Sequence, residues 1–380
     1  MQTAHIAIVG GGLSGLYAAF LLEEKGIKDY VVLEARDTLG GRIASTLGHP
    51  TPSVSSGLPD IDRFDLGPTW FWPALQPQLD RLVRDLDLAS FAQHEVGDMM
   101  VERSSGAPPE RMRGYVNSPA AMRLVGGMSA MIDALHRRLD VTRVLTGQRV
   151  EKIHRVDDHV ELQSLDAAGG ATTWRVERVL LAVPPRLAES MIEFTPSLPQ
   201  MVARQWRNTA TWMAPHAKYV AIFDVPFWRE DGLSGEGRSA YGPLGEIHDA
   251  SMPDGSAALF GFFGLPAEVR KRVPEDVLRA HCRAQLKRLF GTQAATPRLD
   301  IIKDWAQDRY TATGADLHST GHHGEIPVAT ATSGPWSGRL TGIASEWSPR
   351  FSGYVAGAVE AVDLGLQALP AYAERGRISQ

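Results

Sequence analysis

The residues best suited to chemistry stand near the start of the chain, in Gly10-Gly11-Gly12-Leu13-Ser14-Gly15. Their spacing is G-x-G-x-x-G, in which the first glycine permits a tight turn, the second lets a pyrophosphate approach the backbone, and the third allows close helix–strand packing. Glu34 lies nineteen residues after Gly15, where a carboxylate can accept hydrogen bonds from a ribose. Together these residues predict a dinucleotide site with its pyrophosphate at a helix N-terminus.

A second glycine pair precedes an arginine in Gly40-Gly41-Arg42. Arginine offers fixed, multidentate donors to phosphate oxygens. We therefore expect Arg42 to make a second pyrophosphate contact, and a turn that carries a solvated arginine is the alternative.

The elements around the glycine cluster are predicted to form a βαβ unit. An apolar strand from His5 to Val9 precedes the glycines, a helix from Leu13 to Lys25 follows them, and Tyr30 to Leu33 is a second β-branched strand. This alternation is typical of a Rossmann-like fold, which places the glycine turn between a strand and a helix.

Later segments change from helical spacing to alternation. Period-two segments between Val141 and Pro185 predict an antiparallel meander that feeds back into a buried parallel strand, whereas Phe91 to Met122 shows no strong period. Lys218 to Phe223 is predicted to be another strand, and Glu275 to Phe290 is predicted to be a helix opened by a proline and closed by a glycine.

Composition excludes several classes of protein. At roughly 150 residues per domain, the 380 residues predict two domains or one large mixed domain. With 39 Lys and Arg against 44 Asp and Glu and no basic block, no nucleic-acid partner is expected. The single cysteine, Cys282, cannot form an internal disulfide, so a cytoplasmic location is expected. The most apolar stretch, Ile6 to Leu22, contains the glycine cluster and is expected to be core, not a signal peptide or a membrane span.

More motifs recur in order along nearly the whole chain. Besides the glycine cluster and Gly40-Gly41-Arg42, they are Leu33-Glu34-Ala35-Arg36, Asp65-Leu66-Gly67-Pro68-Thr69-Trp70-Phe71-Trp72-Pro73, Gly126-Gly127-Met128, Val150 within 148–153, Leu181-Ala182-Val183-Pro184-Pro185, Ala344-Ser345-Glu346 and Ser352-Gly353-Tyr354-Val355-Ala356-Gly357-Ala358. The series resembles the flavin-containing amine oxidases, the monoamine and polyamine oxidase superfamily. Ordered matches over this length are far more specific than any one motif.

The resemblance implies an α/β fold in which a Rossmann-like FAD-binding domain is combined with an α+β substrate domain. The FAD-binding domain would comprise residues 1–78, 126–190 and 334–380, and the substrate domain residues 79–125 and 191–333. Only 37 residues separate Leu88 from Gly126, so the helical lid of the family is expected to be shortened. Either the pocket is open, or a second subunit covers it in a homodimer.

The resemblance also implies one FAD, which is expected to be non-covalent because Cys282 lies outside every motif that contacts flavin. The residues expected to bind it are Gly10, Gly12, Leu13, Ser14, Gly15, Glu34, Ala35, Arg36, Gly41, Arg42, Gly67, Pro68, Thr69, Trp70, Val150, Trp305, Glu346, Gly353, Tyr354 and Val355.

Members of this family oxidise a C–N bond by hydride transfer to flavin, usually with dioxygen as the acceptor. The segment Ala217 to Phe223, followed by Val225-Pro226-Phe227-Trp228-Arg229, resembles the strand whose lysine holds a water against flavin N5, so Lys218 is the candidate for that role. An edge-strand lysine that reaches solvent is the alternative. Tyr354 matches one wall of the aromatic pair that surrounds the amine, and Trp70, Trp72 or Trp347 could supply the other wall of the pocket.

Two alternatives to an amine oxidase stay open at this point. One is a desaturase or dehydrogenase of the same superfamily, which would oxidise C–C or ring positions, and the other is a flavin-bearing interaction module without turnover. An amino-acid substrate would need a buried arginine for its carboxylate, for which Arg238, Arg309 and Arg350 are candidates. No metal site is expected, because His322 and His323 are too close in sequence to act as a two-ligand pair on one face.

Overall fold

The computed structural model describes residues 1–49, 62–317, 326–331 and 333–369. Within these ranges the helices, numbered in chain order, are α1 (Leu13–Glu24), α2 (Pro77–Asp85), α3 (Ser129–Arg137), α4 (Pro185–Met191), α5 (Gln200–Asn208), α6 (Phe227–Glu230), α7 (Ala267–Arg270), α8 (Glu275–Phe290) and α9 (Val355–Gln367). The strands are β1 (Gln2–Thr3), β2 (Ile6–Val9), β3 (Tyr30–Leu33), β4 (Ser45–Leu47), β5 (Arg63–Asp65), β6 (Ser90–Ala92), β7 (Asp98–Glu102), β8 (Glu110–Met112), β9 (Met122–Leu124), β10 (Val144–Leu145), β11 (Arg149–Val156), β12 (His159–Leu165), β13 (Ala171–Val176), β14 (Arg178–Leu181), β15 (Glu193–Thr195), β16 (Ala217–Phe223), β17 (Leu233–Ser239), β18 (Leu244–Asp249), β19 (Ala257–Phe263), β20 (Leu299–Asp304) and β21 (Leu340–Gly342).

The chain divides into two compact units, and each is built from separate stretches of sequence. The first unit comprises Met1–Ile43, Met131–Ala214 and the described residues from Asp308 onward. The second unit comprises the described residues of Ala44–Ala130 and Pro215–Gln307. The boundaries expected for the FAD-binding and substrate domains remain predictions.

The first unit contains a parallel sheet with the strand order β10-β3-β2-β14-β21. Every residue of β2 and β3 is buried, as expected for apolar strands covered on both faces. Helix α1 connects β2 to β3, and its Tyr17 hydroxyl donates to Asp363 of α9 at 3.2 Å. The predicted βαβ unit is therefore confirmed, and the glycine cluster lies between β2 and α1.

The meander predicted between Val141 and Pro185 forms a second sheet of the first unit, with the order β1-β13-β12-β11-β15. Strands β11, β12 and β13 are antiparallel neighbours, and β14 then joins the parallel sheet beside β2. The first period-two segment, Val141 to Leu145, was predicted to be strand throughout, and this prediction was wrong for its first three residues. Residues Val141–Arg143 form a 3₁₀ turn because the Asp140 side chain accepts a hydrogen bond from the Thr142 N–H at 3.1 Å.

The second unit is organised around a seven-stranded sheet with the order β20-β16-β19-β18-β17-β7-β8. Strand β16 lies between β19 and β20 and is buried along its whole length, so Lys218 is not on an edge strand. Val220 and Ile222 pack into one core cluster, and Tyr219 and Phe223 pack into another on the opposite face. Lys218 shares the face of Val220 and Ile222, because side chains alternate along a strand.

Part of the segment for which no period was detected, Phe91 to Met122, is strand in the structure. Strand β7 pairs in parallel with β17, and β8 pairs antiparallel with β7. In the second of these strands, Glu110–Met112, every residue is exposed, which explains why no hydrophobic alternation marks it. Strands can therefore form in this segment although no period marks them.

Among the described residues, no helix is both long and apolar enough to cross a membrane.

Candidate active site

The glycine turn after β2 has different packing at its three motif positions. Gly10 has φ +109°, and a Cβ there would lie 2.8 Å from the Ala182 carbonyl oxygen. A Cβ on Gly15 would overlap the Gly10 carbonyl oxygen, whereas a Cβ on Gly12 would meet nothing nearer than the Gly40 oxygen at 3.6 Å. Gly10 and Gly15 are thus required by packing, and Gly12 leaves open space at the start of α1.

The Glu34 carboxylate is fixed at the end of β3, and only 4% of the residue is exposed. Its Oε2 accepts a hydrogen bond from the Gly11 N–H at 2.7 Å, and its Oε1 accepts one from the Arg36 N–H at 2.8 Å. Leu13 and Ser14 form the first turn of α1, which has no side-chain cap and no acidic residue. An uncapped N-terminus favours an anion. The uncapped N–H groups at the start of α1 and the space at Gly12 fit a pyrophosphate, and the buried Glu34 carboxylate fits a ribose.

Arg42, expected at the pyrophosphate, and Arg36, expected to bind FAD, are each held by an acidic partner of the first unit. Arg36 donates to Asp308 Oδ1 at 2.5 Å, and Arg42 contacts both carboxylate oxygens of Glu346 at 2.5 and 3.0 Å. Glu346 is 1% exposed, but the side chain of Arg42 keeps 26% of its surface exposed. The structure therefore brings Arg42 and Glu346 together, although their positions are 304 residues apart.

The remaining nucleotide-site residues of the first unit lie at the ends of regular elements. A Cβ on Gly41 would lie 3.4 Å from the Gly12 Cα, and Ala35 follows β3. Val150 is in β11 and is 6% exposed, and Val355 is the first residue of α9.

Tyr354 precedes α9 and is 41% exposed. Its ring is stacked on Trp212, with ring centroids 6.0 Å apart and an interplanar angle of 25°. Gly353 has φ +81°, and a Cβ there would overlap Trp212. Trp212 is thus the aromatic partner of Tyr354 that sequence reasoning missed, because it comes from a distant part of the chain and no local motif marks it.

Trp347, expected in the substrate pocket, lies instead in the core of the first unit. It is 3% exposed and packs edge-to-face on Trp206, with ring centroids 5.5 Å apart. Its indole N–H donates to the Val328 carbonyl at 3.3 Å. This position gives no support to contact with substrate.

Lys218 is a buried cation of the second unit, with 2% of the residue exposed. Its Nζ donates to Thr69 Oγ1 at 2.5 Å and to the Gly67 carbonyl at 3.2 Å, and it lies 3.9 Å from the centroid of the Phe260 ring. Burial lowers the pKa of the Lys218 amine to about 7; the negative charge of Asp65 opposes this shift, and the positive charge of Arg123 adds to it. The amine can therefore exist in both protonation states near neutral pH.

Side chains of the second unit hold the segment that contains Gly67, Pro68 and Thr69. The Trp305 indole donates to the Leu66 carbonyl at 3.0 Å, and the Trp70 indole donates to Gln93 Oε1 at 2.8 Å. The backbone N–H of Trp72 donates to Gln76 Oε1 at 3.1 Å. The candidate residues between 66 and 72 are thus held from several sides, which would preorganise them for a ligand.

Two further charges were not among the predicted site residues. Asp65 ends β5 and is 5% exposed, and Arg123 lies in β9 and is 1% exposed. Asp65 opens one of the matched motifs, and Arg123 is an arginine within the apolar run 121–125. A charge in an otherwise apolar strand was the signal that could have found Arg123.

The remaining candidates are one cysteine, three arginines and two histidines, and in the part of the chain that the structure describes none of them shows an arrangement that points to a ligand. Cys282 is buried in α8, and burial raises the pKa of its thiol. Arg238 pairs with Glu246 at 2.7 Å, Arg350 pairs with Glu360, and Arg309 lies 4.7 Å from the Tyr310 ring centroid. His322 and His323 lie outside the described residues, which contain no group of three or more His, Cys, Asp or Glu side chains suited to a metal.

Comparison with known proteins gives consistent matches over most of the chain. A family model described as flavin containing amine oxidoreductase matches residues 96–361, and one described as an NAD(P)-binding Rossmann-like domain matches residues 8–86. A probable flavin-containing monoamine oxidase A of Dictyostelium discoideum is 28% identical over 253 residues, which are 63% of this chain and 51% of that protein. The putrescine oxidase of Kocuria rosea is 29% identical over 229 residues, 54% of this chain and 46% of that protein.

These alignments span about half the length of the two relatives. A solved structure, the cyclohexylamine oxidase of Brevibacterium oxydans, superposes with a TM-score of 0.77 at 18% identity and covers 99% of this chain and 100% of that one. The likeness confirms the predicted fold class.

Proposed function

The chain belongs to the flavin-containing amine oxidoreductase family, and from that premise we propose that it oxidises a C–N bond of a small-molecule amine. The amine loses a hydride and a proton to become an imine, which water hydrolyses, and dioxygen takes up two electrons and two protons to give hydrogen peroxide. When bound, a non-covalent FAD supplies the two-electron acceptor for the hydride.

The first unit would hold the nucleotide part of FAD. Glu34 is already oriented by two backbone N–H groups, so its carboxylate can accept ribose hydroxyls without reorganisation. The N-terminus of α1 and the exposed part of Arg42 would hold the pyrophosphate. Glu346 fixes the Arg42 guanidinium from its buried side.

The observation that carries the proposal is the position of the Lys218 amine. It is buried and bonded to Gly67 and Thr69, which belong to the motif that in the resembled family runs beneath the flavin ring. Two protein acceptors leave the ammonium one further N–H, or the neutral amine its lone pair, for a water. We propose that Lys218 holds a water there and exchanges a proton with it.

Tyr354 and Trp212 would orient the amine. An aromatic face attracts a cation and steers a nitrogen lone pair. Because the ring centroids are only 6.0 Å apart, the two rings contact each other and leave no space for an amine between them. Trp212 therefore supports the ring that the substrate meets.

The first test is a panel of primary and secondary amines, with peroxide release and anaerobic flavin bleaching as readouts. We expect at least one amine to bleach the flavin and to yield peroxide in air. If the flavin is bleached only by compounds that are oxidised at a C–C bond or a ring position, the desaturase or dehydrogenase alternative is indicated. If neither these compounds nor amines bleach the flavin, an interaction module is indicated.

The second test is Lys218→Met, which keeps the apolar stem and removes the donors. Stopped-flow measurements should show normal FAD content but a change of roughly tenfold or more in flavin reduction or reoxidation, about 1.4 kcal/mol in barrier. Lys271→Met, at an exposed lysine, is the control and should keep both rates. Wild-type rates in Lys218→Met with an active amine would remove Lys218 from the mechanism.

A homodimer and a cytoplasmic location remain predictions of the sequence.

A further inference from the structure

Three ionisable side chains of the second unit are buried, and only one of them has a proposed role. Lys218, Asp65 and Arg123 are 2%, 5% and 1% exposed. Each would be costly to bury as an isolated charge. The Lys218 amine lies against the Phe260 ring and Arg123 donates to the Ala250 carbonyl, and Phe260 and Ala250 belong to one buried cluster. The two charges that do not hold the water therefore need an account.

Asp65 is anchored through one carboxylate oxygen only. Its Oδ1 accepts hydrogen bonds from the Met128 N–H at 2.8 Å and from Ser45 Oγ at 3.2 Å, whereas Oδ2 is buried and has no hydrogen-bond partner. The same segment that begins at Asp65 supplies both acceptors of the Lys218 amine, Gly67 and Thr69. The buried carboxylate of Asp65 thus belongs to the same short segment as the two oxygens that accept hydrogen bonds from the Lys218 amine.

Arg123 is anchored in a comparable way. Its Nη1 and Nη2 donate to the carbonyls of Ser251 and Ala250 at 3.0 and 2.7 Å, and its guanidinium lies 5.0 Å from the Phe91 ring centroid. Its Nε is buried without a hydrogen-bond partner. Its hydrogen-bond partners are neutral carbonyls, and the negative charges that act on it are those of Asp65 and Asp249. The field of the guanidinium in turn acts on its buried neighbours.

We propose that Asp65 and Arg123 are positioning residues that act through Lys218, holding its amine between its charged and neutral forms by opposing fields. The inference rests on the proposed role of Lys218 and deepens it. With Asp65 ionised the ammonium is favoured, and with Arg123 beside it the neutral amine is favoured. The amine can then both give and take a proton at neutral pH, which a solvated lysine does poorly.

The electrostatics of the three groups agree with this arrangement. Burial is the largest cause of the lowered pKa of Lys218, and the two charges act in opposite directions. Burial also raises the pKa of Asp65, which Lys218 and Arg123 counteract. The two shifts act toward each other: burial lowers the pKa of the Lys218 amine and raises the pKa of the Asp65 carboxyl.

Other charged or titratable groups lie on the strands beside Lys218, and they are engaged elsewhere. Lys303 is the register partner of Lys218 on β20, and its Nζ lies 4.3 Å from the Trp305 ring centroid. On β18, Glu246 pairs with His248 at 2.6 Å and with Arg238 at 2.7 Å.

The test reads the protonation of Lys218 directly. The chain has seven lysines, so the holoenzyme labelled with ¹³C at the lysine ε-carbon gives few signals, and Lys218→Met identifies the relevant one. Its chemical shift, followed against pH, gives the midpoint of the amine. Asp65→Asn should lower the midpoint and Arg123→Met should raise it, each by about one pH unit or more.

Three comparisons make the result decisive. Arg123→Lys keeps the charge and should restore most of the wild-type midpoint, and Arg288→Met, which removes an arginine that donates to Glu102, should leave it unchanged. Opposite shifts in the two primary variants support the proposal, since structural damage alone would expose the amine and move both midpoints upward. Shifts in the same direction, or no shift, would overturn the proposal. If Asp65→Asn does not fold, the comparison of Arg123→Met with Arg123→Lys decides.

The titration does not depend on turnover. If no amine is oxidised but the midpoints shift in opposite directions, the proposed function fails and the network stands. If amines are oxidised but the midpoints do not move, this inference fails alone.

Discussion

Glu34 illustrates how one side chain combines a structural and a binding task. Its two oxygens accept the N–H groups of Gly11 and Arg36, and so join the glycine turn to the end of β3. A carboxylate can accept about four hydrogen bonds. Two acceptor positions therefore stay open for ribose hydroxyls.

Replacing Glu34 by alanine should weaken FAD binding. Loss of a charge-assisted contact is worth about 1.5 to 3 kcal/mol, which is roughly 10- to 150-fold in Kd. Flavin absorbance per polypeptide and titration of stripped protein measure the loss. Glu24→Ala, at an exposed glutamate of α1, is the matched control, and equal FAD affinity in both variants would contradict the role of Glu34.

Trp212 is expected to act on the substrate through Tyr354. A stacked aromatic pair contributes about 0.5 to 1.5 kcal/mol beyond its buried area, so Trp212→Leu should raise KM for the amine by roughly 2- to 10-fold. Trp212→Phe keeps a ring against Tyr354 and should lie closer to the wild type. Steady-state kinetics distinguish the two, and an unchanged KM in Trp212→Leu would show that Tyr354 needs no support.

At the scale of elements, the turn between β2 and α1 contains one glycine required by packing, Gly15, and one expected to be required by ligand binding, Gly12. A Cβ on Gly15 would overlap a backbone oxygen that cannot move aside, whereas Gly12 has room for a Cβ and has φ −79° and ψ −172°, which any residue adopts. The two glycines of one motif should therefore fail in different ways.

Gly15→Ala should destabilise the fold, and Gly12→Ala should not. Overpacking costs about 1 to 3 kcal/mol, or a Tm lower by on the order of 5 °C for a domain of this size. Gly12→Ala should keep its Tm and lose FAD affinity, because its methyl group occupies space expected for the pyrophosphate. Circular dichroism melting of stripped protein and FAD titration test both, and a lowered Tm in Gly12→Ala would refute the separation.

Elements with strong local patterns were predictable from the sequence. Helix Glu275–Phe290 has the predicted bounds, because a proline and a glycine bound it. Strand Asp98–Glu102 was not predictable, since its pairing with β17 is a distant parallel contact. Non-local pairing leaves little trace in a short polar segment.

The same distinction holds for the site. The residues of the glycine turn could be proposed from spacing alone, because a dinucleotide motif is local. Trp212 and Arg123 could not, because their relevance depends on Tyr354 and Lys218, which lie far away in sequence. Lys218 was found only through the resemblance of its strand to a known family.

For the whole molecule, the state of the cofactor gives the clearest prediction. Acid or heat denaturation should release FAD into the supernatant, because the single cysteine, Cys282, is buried in the core of the second unit and cannot reach a bound flavin without unfolding. Absorbance of the supernatant and fluorescence of the polypeptide on a denaturing gel measure the partition. Flavin that stays with the polypeptide would show a covalent link through another residue.

The interrupted course of the first unit has a consequence for biosynthesis. Its parallel sheet is completed by β21 and its helix α1 is covered by α9, and both elements are translated after every strand of the second unit. Contacts of such high sequence separation form slowly, because long loops must close first. On the ribosome β14 must therefore wait for its partner β21, and α1 for α9, until almost the entire chain has been made, and that interval is when chaperones would be needed.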